Sequence, residues 1–308
     1  MDSLKYTSLA ELVALAQARK ERISDVVIID QAAQAEDIPQ ALYDKMLHNY
    51  QVMMESIDKG TDPNLKSTSG LTGGDAAKLH QAYQRKRTLT GSFMSGAIWR
   101  ALAVSELNAS MGRIVAAPTA GSCGILPAAV ATMREEHNIS EFNCVMSLFT
   151  ASAVGMVIAN NASLAGASGG CQAECGSASA MAAAAIVEMA GGSPEMVDHA
   201  VAIVLKCTLG LVCDPVAGLV EIPCIKRNAS GVTTAFMAAE MALAGITSHI
   251  PADEVIVAMK RVGDLMPVAL RETADGGLAT TPTGEKLRRQ VFGDGPIVGC
   301  ACKGPAHQ

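Results

Sequence analysis

Residues 176–190 read GSASAMAAAAIVEMA. Alanine is the strongest helix former, methionine is among the good ones, and the stretch lacks the alternation of β-branched residues that a strand requires. The run predicts a buried helix whose small side chains let neighbouring helices approach closely. Working outward, helical spacing recurs over 75–90, 92–109, 125–136, 143–159, 194–209, 229–244 and 252–270. Near the start, SLAELVALAQ reads as a helix with Ser8 as N-cap and Glu11 as its box partner. Residues 38–59 read as another, with Asp37 and Pro39 marking its start and Gly60 its stop. GRIVAAP is retained as a strand candidate, whereas EVIVAM follows Pro251, Ala252 and Asp253 and reads as helix. The fold class is all-α: long apolar helices joined by Gly- and Pro-rich loops. No linker divides the chain, so 1–308 is read as a single helical domain, with 1–60 as an N-terminal helical segment and 272–308 as a C-terminal tail that loses helical periodicity.

Composition narrows the function classes. The 308 residues are 49% hydrophobic but only 3% aromatic, so the core is filled by aliphatic side chains and by the 16 Met. A formal charge of −6 without blocks of like charge leaves no electrostatic footprint for nucleic acid or an anionic membrane surface. The first residues carry charges throughout, so a cytoplasmic location is expected. Phe142 to Ala173 contains no Asp, Glu, Lys or Arg and is long enough to cross a bilayer. Its second half is crowded with Asn, Ser and Gly, and no basic cluster flanks it, so it reads as a buried helix running into a polar loop.

Nine cysteines in a cytosolic chain are expected to be reduced, as packing residues or as ligands. Three stand at element ends: Cys171 in SGGCQAECG, Cys213 in LVCDPVAG and Cys224 in EIPCIKRNA. Neighbouring glycine or proline keeps each backbone out of regular helix, as a thiolate ligand in a shared pocket needs. Separations of 42 and 11 residues match no local zinc or ferredoxin pattern, and Cys171 with Cys175 offers a rival pair on one helical face. Two hydroxyl-rich loops accompany the cysteines. TDPNLKSTSGLTGGD (61–75) carries Lys66, Ser67, Thr68 and Ser69, which can cradle a carboxylate or can simply be solvated. AAPTAGSCG carries Thr119, Ala120, Gly121 and Ser122 before a helix start, where an anion fits, although the residues alone favour a plain cap. The six histidines fall mainly beside charged helical stretches; His80 follows the first loop and is the nearest to a site.

Four segments, KSTSGLTGGDAAKLH, NASMGRIVAAPTAGSCGILPA, NNASLAGASGGCQAECGSASAMAAA and CDPVAGLVEIPCIKRNA, span residues 66–229 and resemble, in the same order, the α subunit of the two-subunit bacterial iron-sulfur L-serine dehydratases. The resemblance implies that Cys171, Cys213 and Cys224 bind a 4Fe-4S cluster whose open iron acts as Lewis acid on the hydroxyl of L-serine, yielding pyruvate and ammonia. It also implies a separate β subunit, because the smaller component's serine-rich segment does not occur here, and an oligomeric assembly. Lys66 and His80 are the candidates for the base. In the single-chain form of the family a C-terminal cysteine reaches the open iron. Cys300 or Cys302 could correspond to it, but Lys303 to Gln308 follow them, and a frayed end is the alternative. Competing readings are an L-cysteine desulfidase of the same cluster type, a pyridoxal-phosphate lyase using Lys66, and a non-enzymatic redox-sensing iron-sulfur module.

Overall fold

A computed structural model describes residues 6–294. Among them the regular elements are helices, with no strand and an isolated bridge between Cys213 and Arg271. In chain order these are α1 (Leu9–Arg19), α2 (Ile23–Gln34), α3 (Pro39–Gly60), α4 (Asp75–Gln84), α5 (Gly91–Ala109), α6 (Ile125–His137), α7 (Glu141–Asn161), the short α8 (Gly166–Gly169), α9 (Ser177–Met189), α10 (Pro194–Thr208), α11 (Cys224–Leu243), α12 (Ala252–Leu265) and α13 (Pro282–Phe292).

The alanine-rich stretch forms α9 at the centre, packed against α6, α7, α10 and α11. Twelve of its thirteen residues are buried, so its interfaces consist almost wholly of small and branched apolar side chains. The charge-free stretch from Phe142 forms α7, long and apolar enough to span a bilayer, yet 72% of its apolar window is buried within the protein. Gly60 does not follow α3 but closes it. A Cβ there would lie 2.0 Å from the Ala103 carbonyl oxygen, so the glycine sets the approach of α3 to α5.

Ser8 caps α1 by accepting from Glu11 N at 3.1 Å, and the Glu11 carboxylate accepts from Thr7 N at 2.6 Å. The β-branched run DVVIID lies in a helix, α2, that patterning did not single out. GRIVAAP forms no strand. The helix read over 75–90 ends at Gln84, and that over 252–270 ends at Leu265, just before Pro267. α11 begins at Cys224, five residues before its predicted start. The C-terminal segment also holds a helix that its sequence concealed: α13 is capped by Thr281 Oγ1, which accepts from Gly284 N at 3.1 Å. Cys300 and Cys302 lie outside the described residues.

Candidate active site at the cysteine seam

The cysteines of interest lie where helices begin or break. Gly170, with φ +74°, turns the chain into Cys171; a Cβ there would meet the Met266 side chain at 2.7 Å. The next residues, Gln172–Gly176, form a π turn ahead of α9. Such turns are rare and recur at functional sites. Gln172 is fully buried and pins this turn, donating to Met259 O (2.9 Å) and accepting from Gly210 N (2.9 Å). The wider winding brings Cys175 Sγ to 3.3 Å from Cys171 Sγ. Glu174 projects from the same turn, and the ligand atoms of Cys171, Glu174 and Cys175 lie within 4.8 Å of one another.

Cys213 is held through its backbone, donating to Leu270 O (2.8 Å) and accepting from Glu272 N (2.7 Å). Gly166 faces it: an added Cβ would stand 2.9 Å from Cys213 Sγ and 3.2 Å from Glu272 Oε2. Cys224 opens α11 directly after the cis Ile222–Pro223 bond. Cys171, Cys213 and Cys224 are all buried and reduced, and they act on one another electrostatically. Burial pushes the Cys213 thiol up, with Cys171 and Glu272 adding to it. Burial likewise pushes Cys224 up to about 12, reinforced by Cys171 and Glu174 and opposed by Arg227. Cys171 alone is lowered, first by its hydrogen bond with Cys175. Cys213 and Cys224 are therefore costly to ionise, and a bound cation would remove that cost.

Over the π turn lies the 119–122 segment, after the cis Ala117–Pro118 bond. Thr119 Oγ1 donates to Glu174 Oε1 and lies 3.0 Å from Ser122 Oγ. Gly121 leaves room for the carboxylate, since a Cβ would fall 2.5 Å from Glu174 Oε1. Ala120 accepts from Asn108 Nδ2 at 3.2 Å. Asn228, fully buried in α11, joins this segment to the cysteine helix: its Nδ2 donates to Gly121 O (2.7 Å) and Cys224 O (3.0 Å), and its Oδ1 accepts from Gly124 N (2.8 Å). Arg227 spans the seam, donating to Val212 O and to Asp214 Oδ1, each at 2.8 Å.

The 61–75 loop borders an open groove of about 490 Å³ lined by Lys66, Thr72, Pro223 and Lys226 among others, one residue away from Cys224. Its hydroxyls largely serve the loop itself. Ser67 Oγ accepts from Thr72 N (3.2 Å) and meets Ser69 Oγ (3.1 Å), while Thr68 N donates to Ala109 O (3.1 Å). Thr72 Oγ1 ties the loop to the buried Glu221 at 2.7 Å. His80 stacks on Trp99 with ring centroids 4.3 Å apart, and no described hydrogen bond joins it to the thiols or to the 119–122 segment. Burial lowers its pKa, with Arg100 adding to that shift.

Sequence reasoning thus marked the three separated thiols and both loops but missed Glu174, Gln172, Arg227 and Asn228.

A model of the serine dehydratase alpha chain family matches residues 18–279. The "Probable L-serine dehydratase, alpha chain" of Bacillus subtilis (strain 168) is 52% identical over 289 residues, covering 94% of this chain and 96% of that one. The "L-serine dehydratase, alpha chain" of Peptoniphilus asaccharolyticus is 43% identical, covering 92% and 98%. "L-serine dehydratase 1" of Escherichia coli (strain K12) is 40% identical over 75% of this chain but only 52% of its own length. With the match spanning the π turn, the 119–122 segment and all three separated thiols, this chain belongs to the serine dehydratase alpha chain family.

Proposed function

We propose that the chain is the α subunit of an L-serine dehydratase, a cytoplasmic lyase that converts L-serine to pyruvate and ammonia with a separate β chain. The observation that carries the reading is that three buried thiols, Cys171, Cys213 and Cys224, act on one another and on Glu174 electrostatically in a member of this family, although the ligand atoms within 4.8 Å of one another are those of Cys171, Glu174 and Cys175. Two full-length relatives are themselves named alpha chains, which supports a partner subunit.

The donor set fits a 4Fe-4S cluster. The three thiols are soft donors shielded from water, and Gly166 keeps the space beside Cys213 Sγ free of a side chain. When bound, the cluster supplies an electrophilic iron that draws electron density from the substrate hydroxyl. The protein's own groups do the rest. The amides of Ala120 and Gly121 offer donors to the substrate carboxylate, where negative charge grows as the α-proton leaves, while the Thr119 hydroxyl, beside Ser122, is committed to Glu174. Lys66, which lines the groove together with Pro223, the residue before Cys224, is the preferred candidate for the base; His80, committed to its stack on Trp99, is the second. Loss of the α-proton and of hydroxide, released as water, gives aminoacrylate, which tautomerises to the imine and hydrolyses to pyruvate and ammonia.

The test is anaerobic purification with the β partner, followed by iron and sulfide analysis and pyruvate assay on L-serine and L-cysteine. Wild type is expected to favour L-serine. Cys171→Ala, Cys213→Ala and Cys224→Ala should each lose the cluster and lower turnover on the order of 100-fold or more, whereas Cys144→Ala, in the α7 core, should keep both. Full iron content in any of the three variants would remove that residue from the ligand set.

A further inference from the structure

The proposed substrate carries a positive α-ammonium as well as a carboxylate and a hydroxyl. Around the cysteine seam the cationic groups are already engaged: Arg227 is bonded to Val212 O and Asp214, and Lys78 and Lys226 both pair with Asp75, at 2.9 and 2.5 Å. The carboxylate of Glu174 is in the opposite position. It lies between Cys171 and Cys175, takes a hydrogen bond from Thr119 on Oε1, and among the described residues is joined by no salt bridge. Glu272, its carboxylate near Cys213, adds a second negative charge to the same seam.

We infer that Glu174 is the binding residue for the α-ammonium of the amino-acid substrate. The inference rests on the serine dehydratase reading and deepens it by assigning the third functional group of the substrate. Three features suit the role. A half-buried carboxylate with a single neutral donor is poorly compensated, and an ammonium placed against Oε2 supplies both charge and hydrogen bonds. Thr119, hydrogen-bonded to Oε1 and beside Ser122, fixes the carboxylate's rotation and leaves Oε2 for the ligand. Gly121 keeps the approach to the carboxylate open, and Asn228 anchors the Gly121 carbonyl, so the position of the pair is set from α11. The arrangement selects free α-amino acids over hydroxy or unsubstituted acids of the same length.

Two unreactive or slowly reacting probes separate this role from a structural one. L-Alanine keeps the ammonium and carboxylate but lacks the hydroxyl; 3-hydroxypropionate keeps the carboxylate and hydroxyl but lacks the ammonium. Calorimetry on the cluster-loaded α/β enzyme should show Glu174→Gln weakening L-alanine binding about 10- to 100-fold while leaving 3-hydroxypropionate within about twofold and iron content unchanged. Glu174→Asp, which keeps the charge, should fall between the two. Equal losses for both probes, no loss for either, equal losses in the Asp and Gln variants, or release of iron from Glu174→Gln would each overturn the assignment, the last by making Glu174 a cluster ligand. Wild-type enzyme that forms no pyruvate from L-serine would instead remove the parent reading.

Discussion

The π turn Gln172–Gly176 and helix α9 run end to end, yet they answer to different demands. In α9 the buried side chains are nearly all alanine, isoleucine, valine and methionine, and the backbone hydrogen bonds are the helix's own. In the turn, three side chains reach long-range or sulfur partners: Gln172 to Met259 and Gly210, Glu174 to Thr119, and Cys175 to Cys171. Close packing of small residues tolerates many sequences of similar volume, whereas the turn depends on particular atoms. The comparison separates positions that hold the bundle from positions that hold the seam.

Gly60 and Gly166 give the sharpest contrast between the two. Gly60→Val would drive a side chain into the Ala103 backbone, with even its Cβ only 2.0 Å from the carbonyl oxygen, and should cost about 3 kcal/mol or more in denaturant unfolding. The surviving folded fraction should keep its iron. Gly166→Ala meets Cys213 Sγ instead, at 2.9 Å, and should lower iron content with a smaller fall in stability. If both variants lost iron and stability in proportion, the division between bundle and seam would fail.

Asn228 belongs to both regions, and its removal should register in both. Asn228→Ala deletes three hydrogen bonds and leaves buried backbone groups of Gly121 and Gly124 short of partners, at a cost of about 2–3 kcal/mol. Asn228→Asp retains the acceptor for Gly124 N but loses the donors to Gly121 and Cys224. Its substrate affinity should therefore fall further than its thermal stability, measured by KM and by Tm. A parallel fall in the two would assign Asn228 to the bundle alone.

The smallest expected effect lies in the bundle itself. Burial pushes the Glu188 carboxyl above its ordinary value of 4.5, against hydrogen bonds from Thr150 and Ser24. The folded state then holds its proton more tightly than the unfolded chain. The stabilisation is fully present below the unfolded value and is lost as pH rises from there through the folded one. Unfolding free energies at pH 5 and pH 7 should accordingly fall more in wild type than in Glu188→Gln. An identical slope in the two would mean that Glu188 is not the group responsible.

The all-α class was legible because a run such as AMAAAAIVEM admits little else, and the separated cysteines were legible because glycine and proline mark element ends. What patterning missed depends on contacts distant in sequence. Lys226, Arg227 and Asn228 made residues 224–228 look like loop, yet they lie on a helix because their partners are Asp75, Asp214 and Gly121. The DVVIID run favours strand by propensity and becomes α2 through packing against α3 and α7. Glu174 stood in plain view within CQAEC. Its importance comes from Thr119, 55 residues earlier, which no local spacing reveals.

The ties at Cys213 have a consequence for the order in which the protein is made. Its amide bonds to Leu270, its carbonyl to Glu272, and the adjacent Asp214 accepts from Leu278 N at 2.8 Å. During synthesis the chain emerges from its N-terminus, so the central bundle is available to fold while these partners are still awaiting translation. Cys171 and Cys224 can reach their final surroundings before Cys213 can. If the three thiols hold a cofactor as proposed, one delivered to the nascent chain would find two of them in place, and insertion into a finished pocket would follow release of the C-terminal segment from the ribosome.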